Sequence, residues 1–248
     1  MFADSHIHVG QFREIYEQPK ELVKYLFKVG VTHFAVSSTS ICKDNYIKAI
    51  AEIREVITLA PSCVFPILWI TPLSLQNGGV KLFLDSGINW KCIKIHPWLT
   101  PGEWSRDSAN IKKAIELSRR MKLPFLIHTG ETEGCLPSLF EDVIKENSDI
   151  YFILAHGRPI SETINLMKKY KNVWTDTAFM PIKHVSLLCQ NYLSDRILWG
   201  SDYPIPKYYY PDLDICEYYK NLIFQLKQSV NKEDFEKITH INFYNLFG

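Results

Sequence analysis

No CxxC pair occurs anywhere in this chain. The six cysteines (Cys42, Cys63, Cys92, Cys135, Cys189 and Cys216) stand far apart, a spacing that suits isolated thiols and not a zinc knuckle or a disulfide framework. Charge of one sign is missing too. The 28 Lys and Arg against 27 Asp and Glu leave a net charge of +1, too weak a field to recruit nucleic acid or an anionic membrane. Long hydrophobic runs are absent: the longest, such as Val64 to Pro72, fall far short of the ~20 residues of a membrane span. The opening MFADSHIHVG carries neither a basic nor an apolar leader segment, so a cytoplasmic protein is the expectation. No glycine-rich phosphate loop follows the first apolar run, which weakens the case for an open dinucleotide-binding sheet.

What is present is ordinary core material. The 248 residues are 46% hydrophobic, and no repeat, low-complexity tract or linker divides them. A single domain over residues 1–248 is expected. Short apolar runs rich in β-branched and aromatic residues alternate with longer amphipathic ones, the pattern of βα units around a parallel sheet. Eight strands are predicted: Phe2–Val9, Phe34–Ser38, Val64–Thr71, Cys92–His96, Pro124–Thr129, Tyr151–His156, Val173–Thr177 and Ile197–Ser201. Helical periodicity covers Lys20–Lys28, Tyr46–Leu59, Val80–Ser86, Ser108–Lys122, Leu136–Glu146, Ile160–Tyr170 and Ile182–Leu193. Two more helical stretches close the chain, Leu213–Gln228 and Lys232–Leu246. This rhythm and length predict an α/β fold, a single (β/α)₈ TIM-type barrel with extra C-terminal helices. The irregular stretches Pro97–Arg106 and Tyr203–Pro211 each follow a strand and should overlie the catalytic face.

Five of the eight histidines fall in or at the end of predicted strands. His6 and His8 close the first, His96 the fourth, His128 the fifth and His156 the sixth, while Asp202 follows the eighth. Residues two apart on a strand face the same side, so His6 and His8 can point inward together, as can Lys94 and His96. Imidazole with carboxylate suits zinc first, and also manganese, iron or nickel. Taken singly, each of these residues has a duller reading. A strand histidine is usually a hydrogen-bonded core residue, and His33, His184 and His240 are read so. It is the joint pattern that points to a divalent metal.

The ordered segments DSHIHVG, CIKIHP, PFLIHTG, ILAHGRP, NVWTDTA and RILWGSDYP span residues 4 to 204. In this order they resemble the amidohydrolase superfamily, and within it the branch related to aminocarboxymuconate-semialdehyde decarboxylase. The resemblance implies a metal held by His6, His8, His128 and Asp202, with His156 beside it as acid/base and Asp202 as base. It implies a hydrolase that activates water on a small amide, ester or lactone, the metal lowering the pKa of its water to about 7. The same site in relatives runs non-oxidative decarboxylation or hydration of unsaturated or aromatic acids, so that alternative stays open. A metal-free scaffold is the remote third.

Lys94, His96 and Arg158 are the candidate substrate-binding residues, Arg158 as a bidentate carboxylate grip. One ion is favoured, two being the alternative if Lys94 is carboxylated. Asp176 is read as a partner that orients a ligand or Lys94. The aromatic residues Trp98, Trp104, Tyr203, Tyr208, Tyr209 and Tyr210 suit either a lid over a small-molecule substrate or a homodimer interface.

Overall fold

The computed structural model describes residues 2–100, 102 and 104–248. Pro101 and Glu103, in the irregular stretch Pro97–Arg106, lie outside the described residues. The order is β1 (Phe2–Phe12), β2 (Ile15–Glu17), α1 (Pro19–Lys28), β3 (Val31–Ser38), α2 (Tyr46–Leu59), β4 (Val64–Trp69), α3 (Gly79–Asp85), β5 (Cys92–Ile95), α4 (Ala109–Met121) and β6 (Phe125–His128). There follow α5 (Glu141–Glu146), β7 (Phe152–Ala155), α6 (Ile160–Lys169), β8 (Val173–Asp176), α7 (Ile182–Gln190), β9 (Ile197–Leu198), α8 (Ile205–Tyr209), α9 (Ile215–Ser229), α10 (Lys232–Glu236) and α11 (Asn242–Phe247). They build a mixed α/β fold around one curled sheet, ordered β2-β1-β3-β4-β5-β6-β7-β8-β9. All neighbours run parallel except β2, which turns back on the end of β1. Beyond β9 the chain returns to β1. Ser5 N–H bonds Trp199 O at 2.8 Å, His8 N–H bonds Tyr203 O at 2.7 Å, and Asp202 N–H bonds His6 O at 2.9 Å.

Local chemistry sets several boundaries. Asn45 opens α2, Ser108 opens α4 and Asp214 opens α9, each accepting a backbone N–H of the first turn. Predicted and observed elements differ where the pattern is short or broken. The eighth predicted strand shrinks to Ile197–Leu198 because Gly200 and the residues after it turn toward the site. The predicted helix Leu136–Glu146 begins as a 3₁₀ turn, Pro137–Phe140. The predicted helix Lys232–Leu246 is interrupted by a π-helical turn over Lys237–Ile241. The hairpin strand β2 and the short α8 were not anticipated. No helix among the described residues is long and apolar enough to cross a membrane.

Two-residue alternation divides the sheet's faces. Outward side chains pack under the helices in one large apolar cluster. Inward ones form a smaller cluster with a member from each parallel strand: Ala3, Ala35, Ile67, Cys92, Leu126, Ile153, Trp174 and Leu198. Phe243 and Phe247 of α11 complete it. One pleat further along, the same inward rows carry Ser37, Trp69, Lys94, His128, Asp176 and Gly200. The fold thus has an apolar end sealed by aromatic rings and a polar end with the chemistry. In β1 the pairing register with β3 shifts between Asp4 and Ile7, which changes the parity between Ala3 and His6.

Truncating Phe243 would empty the seal. Phe243→Ala is expected to lower stability by about 3–5 kcal/mol, whereas the exposed Phe224→Ala should stay within about 0.5 kcal/mol. Urea unfolding followed by circular dichroism checks both.

Candidate active site

The polar end gathers every inward side chain that the sequence singled out. His6 and His8 project from the middle of β1, Lys94 from β5 and His128 from the last position of β6. His96 follows β5 directly. His156 follows Ala155, which already faces inward, and so would point outward in a regular strand. Its φ of 68° turns the side chain to the site. Asp202 makes a similar turn, at φ 56°.

Hydrogen bonds orient the rings from behind. His6 Nδ1 lies 2.9 Å from Asp176 Oδ2. A carboxylate accepts, so Nδ1 carries the proton and His6 Nε2 presents a lone pair. His8 Nδ1 lies 2.9 Å from Ser37 Oγ. Lys94 Nζ stands 3.0 Å from His6 Nε2 and 3.2 Å from His8 Nε2, and 4.6 Å from the centre of the Trp69 ring. His156 Nδ1 donates to Ala178 O at 3.0 Å, while its Nε2 is 3.0 Å from His128 Nδ1. Asp176 also accepts from the backbone N–H of His156 at 2.9 Å and of Ala178 at 3.0 Å.

Burial makes these charges matter. It pushes Lys94 down to about 8, His8 to about 3 and His156 to about 4. It drives His96 and His128 well below the ordinary imidazole range. Asp202 goes the other way: burial opposes its ionisation, but the imidazoles around it, His6 foremost and then His8, overcome this and hold its carboxyl below the ordinary carboxylate range.

A divalent cation fits this donor set. Ligand atoms of His6, His156 and Asp202 all lie within 4.8 Å of one another. His8 Nε2 is 3.1 Å from Asp202 Oδ1, yet that oxygen is buried without a hydrogen-bond partner. An unsatisfied buried carboxylate oxygen beside an imidazole lone pair is the surrounding a metal answers. The close group therefore holds His6, Asp202 and His156. His8 adjoins it through Asp202, and His128 meets it through His156.

A cavity of about 470 Å³ opens over these groups, lined by Lys94, His96, Arg158 and aromatic walls. Arg158 sits at its rim, its Nε 4.0 Å from Glu131 Oε2 and buried without a hydrogen bond. Trp98, Tyr209 and Tyr210 line the mouth. The other loop aromatics lie elsewhere: Trp104 is buried, Tyr203 stacks on Tyr25, and Tyr208 packs edge-on against Phe12. Sequence reasoning missed Trp69, Phe12, Thr39 and Phe179 as lining residues, and Ser37 as the partner of His8. Trp69 and Ser37 carried a usable signal, since each shares the inward parity of its strand. Among the ordinary histidines, His33 bonds Tyr244 from outside the site.

Residues 86–247 match the family model described as amidohydrolase. The chain belongs to the amidohydrolase family. This is a family of enzymes, and its members generally depend on a divalent metal. The match begins after β4, so the His6–His8 motif is placed by geometry alone. No curated protein sequence matches the chain. Solved structures do. A TIM-barrel protein from Bordetella bronchiseptica superposes with a TM-score of 0.74 at 15% identity, covering 99% of this chain and 97% of the other. A probable 2-pyrone-4,6-dicarboxylic acid hydrolase from Acinetobacter baumannii gives 0.73 at 14%, covering 100% and 99%. The 5-carboxyvanillate decarboxylase of Sphingomonas paucimobilis gives 0.69 at 8%, covering 99% and 98%. At such identities the likeness is one of fold.

Two expectations follow for this amidohydrolase. Asp176→Asn should weaken zinc binding by about 10- to 100-fold while the fold persists, as read by competition with a chromophoric chelator. Lys94 has a folded pKa of about 8 against 10.5 unfolded. The unfolded chain therefore binds more protons between those values, and this residue makes stability rise with pH across that window, by at most about 1.4 kcal/mol per pH unit. Chelated Lys94→Met should lack this rise when its urea midpoints at pH 8 and 10 are compared with those of the parent.

Proposed function

We propose that this amidohydrolase adds water to the carbonyl of a small amide, ester or lactone, on one divalent ion, zinc being the first choice. The observation that carries the reading is the Asp202 carboxylate, ionised, buried and with one oxygen unpartnered beside the imidazole group. When bound, the ion supplies Lewis-acid polarisation and lowers the pKa of water. Its proposed holders are His6, His8, His128 and Asp202, with His156 alongside. Lys94 Nζ already lies within hydrogen-bond reach of both His6 and His8. A carboxyl group added to it would displace those rings, which supports one ion over two.

The side chains divide the work. Asp202 is placed to take the proton of the attacking water. His156 has its Nδ1–H committed to Ala178 O, so Nε2 is its basic nitrogen; once the His128 Nδ1–H that it accepts is released, it can receive a proton and return it to the leaving group. Lys94, His96 and Arg158 hold the substrate's oxygens. The aromatic mouth shields the reaction from bulk water. The hydrogen bonds from Ser5, His8 and Asp202 to the far strand support closure of the eight parallel strands into a full (β/α)₈ barrel, one domain over residues 1–248. Such a barrel would bring these side chains from separate strands to its upper rim.

One observation favours a second reading. Arg158, whose buried Nε makes no hydrogen bond and only a loose 4.0 Å ion pair with Glu131, and the Lys94 ammonium set two cations in one cavity, which suits non-oxidative decarboxylation or hydration of an unsaturated or aromatic carboxylic acid. A substrate panel of esters, lactones and aromatic acids, scored for water incorporation against CO₂ release, separates the two. Asp202→Asn should lower kcat by at least about 10²-fold in the hydrolytic reaction. Full activity in that variant would end the hydrolase reading.

A further inference from the structure

His96 is held from three directions. Trp69 of β4 lies nearly parallel to it, ring centres 5.5 Å apart at 14°. His128 of β6 stacks at 3.6 Å and 13°. Because β4 and β6 flank β5, the two rings cover opposite faces of the imidazole. At one edge, the backbone N–H of Leu99 reaches His96 Nδ1 at 3.2 Å. A backbone amide donates and cannot accept. Nδ1 therefore carries a lone pair, and the ring proton resides on Nε2. The same contact excludes the imidazolium, in which both nitrogens would be donors. Leu99 is itself held by a tight turn, in which Thr100 N–H and Thr100 Oγ1 bond His96 O at 3.0 and 2.8 Å.

His96 borders the cavity, and its Nε2–H has no partner among the described residues. Two other oriented imidazoles of the cavity, His6 and His156, present lone pairs at Nε2 instead. Among these three rings, His96 is the one oriented to donate.

We propose that His96 is a fixed, neutral hydrogen-bond donor to a substrate oxygen, selecting ligands that offer a carbonyl or carboxylate oxygen at that point and rejecting those that offer an N–H or ammonium. A donor whose plane and tautomer are already set needs no reorganisation when the ligand arrives. A ligand donor there would face another donor and leave both buried groups unpaired. The proposal rests on the reading of this cavity as the substrate's place, and it holds for hydrolysis and decarboxylation alike.

The test is an ¹⁵N-histidine spectrum of the intact protein, with and without added zinc, His96 being assigned by its loss in His96→Gln. The expected spectrum shows an unprotonated Nδ1 and a protonated Nε2. Acetate, an acceptor-only probe, should shift the Nε2 signal, and methylammonium should not. His96→Leu should weaken acetate binding by about 10- to 100-fold, and His96→Gln, which keeps an N–H near Nε2, by no more than about threefold. A proton on Nδ1, no response to acetate, an equal response to methylammonium, or parental acetate affinity in His96→Leu would each overturn the proposal. Should His96→Leu fail to fold, the spectra of the parent still decide. The expected tautomer in a protein that hydrolyses nothing would defeat only the hydrolase reading. A working hydrolase with the opposite tautomer would defeat only this one.

Discussion

One carboxylate that never faces the cavity holds the site together. Asp176 accepts from the ring of His6 and from the backbone of His156 and Ala178. Through these bonds it ties β1, the end of β7 and the end of β8 to a single point. Burial raises the cost of ionising it, yet its pairing with His6, and the hydrogen bond from the His156 backbone, keep its pKa below the ordinary carboxylate value. A buried anion with several donors on it is stable only while all the donors stay. The tautomer of His6, the backbone path at His156 and the position of Ala178 O, which receives His156 Nδ1–H, therefore depend on one another.

The fold and the site were legible in the sequence to different degrees, for a physical reason. Each parallel strand is buried on both faces, so its apolar run stands out and Val64–Trp69 or Phe125–His128 could be read within a residue or two. Helices with a clear stripe, such as Tyr46–Leu59, were read to their ends. The hairpin strand Ile15–Glu17 has three residues, too few to show a period. The π turn at Lys237–Ile241 arises from packing against β9 and β1, which no local pattern records.

The site residues were legible because strand ends of this fold converge, so their positions along the chain announced their positions in space. The partners were harder. Ser37 and Trp69 are inward-facing residues of common type, and only the register of neighbouring strands brings them to His8 and Lys94. Arg158 was found by its place two residues after His156. Its lack of a hydrogen bond at Nε is a three-dimensional fact.

His156 and Asp202 share one further trait, a left-handed backbone at residues that carry a Cβ. Such a conformation costs roughly 1–2 kcal/mol that a glycine would not incur. Glycine at either position would ease the main chain and delete a side chain proposed above to react. On that proposal, thermal robustness and turnover are set against each other at these two positions. Selection for a hardier molecule alone would be expected to erode the enzyme there first.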